Sequence, residues 1–261
     1  MNIIVCIKEV PETSEIKIDP KTNTLVREGV QGIINPFDMY AIEEGLRIKE
    51  RLGGKVTVLA MGPPQAEFSL REAISLGSDE AILITDRAFA GSDTWATSYT
   101  LAKAIEKLGS YDLVICGKQA IDGDTAQVGP GISVHLNIPQ ACYVKKIEEI
   151  REGYLKVESM TEEGYEVIEV RTPCLITVVK EINTPRLPSL KGKMRAKKQE
   201  IIKWKASDLN VQHEKLGLNG SPTQVVRIFS PPQRVRGEML TGDNGAVVDR
   251  LVEVLKEVIV G

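Results

Sequence analysis

A phosphate is held by backbone amides with little bulk around them, and one stretch of this chain offers both. Gly117-Lys118-Gln119-Ala120-Ile121-Asp122-Gly123-Asp124-Thr125-Ala126-Gln127-Val128-Gly129-Pro130-Gly131 follows an apolar run ending at Cys116 and leads into a helical pattern from Thr125 to Leu136. Asp124 or Thr125 is placed to cap that helix, whose free first-turn amides favour an anion. A carboxylate at position 124 would repel a phosphate unless it turns to the helix amides or to a ribose hydroxyl. The stretch is neither Gly-x-Gly-x-x-Gly nor a Walker loop, so two readings stay open: a generic nucleotide site and a structural turn. No acid–base pair, Ser-His-Asp set or activated cysteine can be assembled from the remaining residues. Histidine occurs only at His135 and His213, so no metal site is expected.

The elements that must position this stretch are legible in the first 145 residues. Short apolar runs at Asn2–Ile7, Lys55–Ala60, Glu80–Ile84 and Asp112–Cys116 read as strands. Helical patterns at Pro36–Leu52, Gln65–Leu76, Asp93–Leu108 and Thr125–Leu136 separate them, with Gly53, Gly77 and Gly109 where helices should stop. This alternation predicts an α/β fold, a doubly wound and mostly parallel Rossmann-like sheet covered on both faces. Ligands of such sheets bind at the carboxyl ends of the strands. Four segments should therefore meet: Cys6–Val10, Asn35–Asp38, Met61–Gly62 and Gly117–Gly131.

After Pro139 the pattern changes. Tyr154–Met160 and Tyr165–Arg171 read as an added β-hairpin, and Cys174–Val179 as a buried strand. The stretch 183–198 is rich in proline and lysine and shows no useful periodicity, so it reads as a long loop, of a kind that is functional or disordered. Pro231-Pro232 should interrupt the domain, leaving a nucleotide-binding unit at 1–225 and a C-terminal arm at 226–261. That arm ends in a helix over Asn244–Val260, with Val248, Leu251, Leu255 and Val258 on one face.

Hydrophobic residues make up 42% and charged residues 26%, values of an ordinary folded chain. No apolar run is long enough to span a bilayer. The four cysteines Cys6, Cys116, Cys142 and Cys174 lie far apart, as expected of reduced core thiols in a cytoplasmic protein. Net charge is −3, yet the eight basic residues between Arg186 and Lys205 face a single acid, Glu200. With only Trp204 beside them they lack the aromatic platforms of a nucleic-acid reader. Two readings remain for this run, a solvated basic loop and a docking surface for an acidic partner protein.

At these same residues the chain resembles the β subunit of electron-transfer flavoproteins over essentially its whole length. The resemblance is carried by Val5-Cys6-Ile7-Lys8-Glu9-Val10-Pro11, by Asn35-Pro36-Phe37-Asp38 followed by Ala41-Ile42-Glu43-Glu44, and by Gly117-Lys118-Gln119-Ala120-Ile121-Asp122. Glu162-Glu163-Gly164, Glu166 and Ile168, then Pro173, Leu175-Ile176-Thr177, are close to the family signature, which departs at Ser159, where a basic residue is usual.

The resemblance implies a heterodimer with an α subunit that carries an FAD and exchanges electrons with an acyl-CoA dehydrogenase. It implies an adenine nucleotide at Cys6, Asn35, Pro36, Phe37, Asp38, Met61, Gly62, Thr94, Thr97 and Gly117 through Val128. Within that run Lys118, Gln119, Ala120, Ile121, Asp122, Gly123, Asp124, Thr125, Ala126 and Gln127 are all expected contacts. Thr94 and Thr97 would bond the nucleotide or its ring system, or else cap the third helix. The segments Gly62-Pro63-Pro64-Gln65-Ala66, Thr85–Ser98 and Gly123–Pro130 resemble the electron-bifurcating branch. There the β nucleotide is a second FAD that takes hydride from NADH and sends electrons both to the α flavin and to ferredoxin or flavodoxin. The alternative is structural AMP in a non-bifurcating member, and a remoter one is a stress-protein-like nucleotide-binding regulator. The loop 183–198 is similar to the family's docking loop. Leu190 is the first choice for its anchor and Leu187 the second, with Lys191, Lys193 and Arg195 around them. Neither nucleic acid nor membrane insertion is expected.

Overall fold

The computed structural model describes residues 1–12, 32–226, 237 and 239–260. The elements are, in chain order, β1 (Asn2–Ile7), β2 (Glu9–Pro11), β3 (Gly32–Ile34), α1 (Pro36–Leu52), β4 (Lys55–Met61), α2 (Glu67–Leu76), β5 (Glu80–Ile84) and α3 (Thr94–Leu108). Then come β6 (Leu113–Gly117), α4 (Val128–Leu136), β7 (Gln140–Arg151), β8 (Tyr154–Met160), β9 (Tyr165–Arg171), β10 (Cys174–Val178), α5 (Leu190–Lys198), β11 (Ile202–Trp204) and α6 (Asn244–Val260).

Nine strands form one sheet in the order β11-β5-β4-β1-β6-β10-β7-β8-β9, parallel from β11 through β7 and antiparallel at β8 and β9. β2 and β3 make a separate antiparallel pair. The fold is thus α/β with a large, mostly parallel sheet.

Alternation within β1 shows why both faces are covered. Ile3, Val5 and Ile7 enter the core shared with α1 and α2, whereas Ile4 and Cys6 enter the core shared with α3 and α4. A strand with apolar residues on both faces cannot tolerate water on either. From β1 the chain goes outward to β4 and β5, then returns to β6 on β1's other side. The carboxyl ends of β1 and β6 therefore flank a topological switch point, where the connections diverge and leave a crevice.

Two expectations are corrected. The stretch 183–198 is not loop throughout, because Leu190–Lys198 is helical: Ser189 accepts from the Gly192 amide at 3.0 Å and caps it. The helix after β6 begins at Val128 rather than Thr125, and neither Asp124 nor Thr125 caps it. Asp124 and Ala126 instead take left-handed φ values of 53° and 55°, incompatible with continuing a right-handed helix.

The chain divides into two compact units, Met1–Val226 and Arg227–Gly261. The second is built on α6, whose Val248, Leu251, Val252, Leu255 and Ile259 are exposed. Pro231-Pro232 lies outside the described residues. Among the described residues no helix is long and apolar enough to cross a membrane, and no cluster of metal-binding side chains occurs.

Candidate nucleotide site

Asn35 organises the switch point. It is 1% exposed and precedes Pro36, whose fixed φ suits the first helical position of α1. The Asn35 backbone amide donates to Lys8 O at 2.9 Å. Its side chain donates to Gln119 O at 2.8 Å and accepts from the Ile121 amide at 3.1 Å. One buried amide side chain thus ties the end of β1, the start of α1 and the loop after β6. Burial makes each of those bonds expensive to lose.

Asp38 repeats the arrangement one turn into α1. Its carboxylate accepts from the Lys8 amide at 2.7 Å and from the Gly117 amide. Burial pushes its pKa up to about 7, against the pull of those amides, of Asn35 and of the Lys8 charge. Gly117 must be glycine here, since a Cβ would stand 2.7 Å from the carbonyl carbon of Phe37 and 2.8 Å from the Asp38 nitrogen. Phe37 is half-buried and Pro36 exposed at the same helix start.

The loop's acids are occupied within the loop's own neighbourhood. Lys8 Nζ pairs with Asp122 Oδ1 at 2.6 Å, and Gln119 Nε2 donates to Asp124 Oδ1. The Asp124 carboxylate is therefore turned to a side-chain amide rather than to the α4 amides. The Asp124 backbone amide donates to Ala120 O at 2.8 Å, closing the turn over Ala120–Gly123. Gly123 has open space where a Cβ would stand, and Ile121, Asp122, Asp124 and Thr125 are exposed beside it. At the start of α4, Gln127 makes no side-chain cap, so the first-turn amides of the helix have no side-chain acceptor from it.

The other expected residues are distributed around this centre. Thr94 Oγ1 donates to Gln127 Oε1 at 3.0 Å, joining α3 to the loop. Thr97 lies half-buried one turn further along α3. Neither threonine caps α3, because Asp93 does so through the Trp95 and Ala96 amides at 2.9 and 3.1 Å. Cys6 pairs in register with Cys116 across β1 and β6; both are buried, and Cys6's proximity and desolvation push the Cys116 thiol well up. Both thiols belong to the core face. Lys118 sits 5.4 Å from the centre of the Tyr143 ring, with its backbone amide bonded to Val178 O at 2.9 Å. Met61 and Gly62 stand at the carboxyl end of β4, where the Gly62 amide donates to Ile84 O at 3.1 Å, and they bond to none of the loop residues. Val128, the first residue of α4, accepts at its carbonyl from Ser98 Oγ at 3.3 Å.

Lys8 is the residue that motif reasoning passed over. Its place two residues after Cys6, just past the end of β1, was the available signal. Away from this site, Leu187 and Leu190 are exposed, as are Lys191 and Lys193. The Arg195 guanidinium instead turns to the end of α2, donating to Ile74 O at 2.7 Å and Ser78 O at 2.6 Å. Ser159, the departure from the signature, donates to Cys142 O on β7.

Comparison with known proteins identifies the family. A family model described as the electron transfer flavoprotein domain matches residues 22–209. The electron transfer flavoprotein subunit beta of Thermoanaerobacterium thermosaccharolyticum is 57% identical over 254 residues, 97% of each chain. The caffeyl-CoA reductase-Etf complex subunit CarD of Acetobacterium woodii is 53% identical over 259 residues, 98% of each chain. Protein FixA of Bradyrhizobium diazoefficiens is 48% identical over 241 residues, 90% of this chain and 84% of its own. With the family model covering most of the chain and such relatives aligned nearly end to end, the chain belongs to the electron transfer flavoprotein family, as a β subunit.

Proposed function

We propose that the crevice between β1 and β6 binds FAD, and that the chain works in electron bifurcation beside an FAD-carrying α subunit. Membership of the family brings flavin-linked electron transfer and an α-subunit partner. In this reading NADH is the donor, one electron goes to ferredoxin or flavodoxin, and the other reaches an acyl-CoA dehydrogenase through the α flavin. The relative from Acetobacterium woodii, whose name joins a CoA-thioester reductase to an electron-transfer flavoprotein, supports a CoA-linked enzyme as partner.

The observation that carries the reading is the Asn35 bridge. It gathers the loop 117–121 at the switch point while the acids beyond it are engaged by Lys8 and Gln119. That arrangement fits a dinucleotide: the uncapped Val128 and Gly129 amides at the start of α4, open space at Gly123, and two carboxylates already partnered. The flavin, when bound, supplies the hydride-to-single-electron chemistry. The chain's own residues would hold it: the amides at the start of α4 would meet the pyrophosphate, with Thr94, Gln127, Met61 and Gly62 as further contacts. AMP in the same crevice is the second reading.

Asn35→Ala opens this bridge, and circular dichroism checks that the fold is kept. The variant heterodimer is expected to keep its α flavin, lose the β nucleotide on gel filtration, and no longer bleach on anaerobic addition of NADH. Unchanged bleaching with full nucleotide content would refute the assignment.

A further inference from the structure

The segment carrying the two exposed leucines is fastened to the domain on both sides of them. On the N-terminal side, Arg186 grips Glu43 through Nε at 2.7 Å and Nη2 at 3.2 Å, and its backbone amide donates to the same carboxylate at 3.1 Å. Its Nη1 and Nη2 also hold Glu50, the latter at 3.0 Å. Arg47 reaches Thr184 O at 3.3 Å, and Asn183 donates to Tyr40 O and Glu44 at 3.0 Å each. On the C-terminal side, a Cβ on Gly192 would collide with the Ser75 carbonyl, so α5 rests directly on α2. Arg195 and Arg71 lock that contact through the carbonyls of Ile74, Ser78, Ala196 and Gln199.

Between the two fastenings run only Leu187, Pro188 and Ser189. Leu187 is 89% exposed, and Leu190, at the start of α5, is 77% exposed. Met194 follows one turn later on the same helix and is also exposed. Large apolar side chains kept in water by a rigid frame mark a docking surface. Arg186 itself cannot serve a partner as a free charge. The Glu43 side chain is only 4% exposed and its carboxylate is shared by Arg186 and Arg47, so losing Arg186 would leave a buried carboxylate with one of its two cations. Both glutamates are held below the usual carboxylate range, with Arg186 chief among the groups that lower them.

We propose that Arg186, clamped by Glu43 and Glu50, is a positioning residue for partner docking: it fixes the Leu187–Leu190 span in its binding shape before a partner arrives and adds no charge to the encounter. The proposal rests on the reading that these leucines dock on an acyl-CoA dehydrogenase. The fixed span lowers the ordering cost of association, and the exposed Lys191, Lys193, Lys197 and Lys198 supply the attraction for an acidic rim. Positioning and charge are separable, because only exposed charge makes affinity depend on salt.

The test measures the Kd between the intact heterodimer and a purified acyl-CoA dehydrogenase of the same organism at several salt concentrations. Arg186→Gln is expected to raise Kd about tenfold with an unchanged salt slope and faster amide exchange at 186–190, and Arg186→Lys to lie between. Glu50→Gln, which leaves the buried pair intact, should raise Kd about threefold. Lys191→Gln should flatten the slope. A flatter slope in Arg186→Gln, or Kd within twofold of wild type in both Arg186→Gln and Glu50→Gln, overturns the proposal. If Leu187→Ala and Leu190→Ala also leave Kd unchanged, the docking reading fails and the proposal with it; if they weaken binding and Arg186→Gln does not, the positioning role alone fails.

Discussion

At the scale of single residues, the site is built from groups whose burial gives them more force than their chemistry alone. Asp38 shows this through pH. Its pKa is raised from 3.8 to about 7 in the folded chain, so the folded state binds the proton more tightly than the unfolded one. The stability this gives is complete below pH 4 and is lost as pH rises through 7. The swing is of order 4 kcal/mol from that difference in pKa. Asp38→Asn should therefore lose less stability than wild type between pH 5 and pH 8, as followed by urea midpoints. Parallel pH dependence in both proteins would contradict it. Two glycines give a second contrast. Gly117→Ala must push α1 away from β6 and should cost about 1–3 kcal/mol and weaken nucleotide binding. Gly123→Ala meets open space and should change stability by less than about 0.5 kcal/mol, which thermal melts of both variants check. The motifs pointed to the segments after β1 and β6, which the structure ties together through Asn35 and Lys8. They did not show that Asn35 and Asp38 face inward as ties, because burial depends on neighbours that only the fold supplies.

At the scale of elements, the apolar pattern was a reliable guide for α1 and for the strands with a clear apolar run. α1 matches its apolar spacing from Pro36 to Leu52, and β1, β5, β8 and β9 match their runs. Two kinds of segment escaped it. In α5, Ala196 is the one buried residue and the helix is held by arginine–carbonyl bonds, so no apolar stripe announced it. β7 is twelve residues long with two register shifts, which break the alternation that marks a strand. The start of α4 was misplaced because left-handed Asp124 and Ala126, each costing about 1–2 kcal/mol, sit inside a helix-like sequence. α6 presents the opposite case, an apolar stripe that is plain in sequence and exposed in the structure at Val248, Leu251, Leu255 and Ile259. Such a stripe suits burial on the α subunit. Deleting 231–261 should leave the nucleotide domain folded by circular dichroism but reduce co-purification with α at least tenfold. Undiminished co-purification would count against that role.

At the scale of the whole molecule, the parallel order of the sheet decides where chemistry can occur. Because β4 and β6 lie on opposite sides of β1, the helices that follow β1 and β6 cover opposite faces of the sheet, and a ligand is expected at the strand ends between them. The same topology sets α1 with α2 on one face and α3 with α4 on the other. In the proposed reading the site at β1 and β6 takes the cofactor, the clamped leucines take the dehydrogenase and α6 takes the α subunit. Of these, the content of the crevice is the central claim. Acid extraction of the purified heterodimer, followed by chromatographic quantification of its nucleotides, tests it directly. The account predicts two FAD per heterodimer and no AMP, and one FAD with one AMP would contradict it.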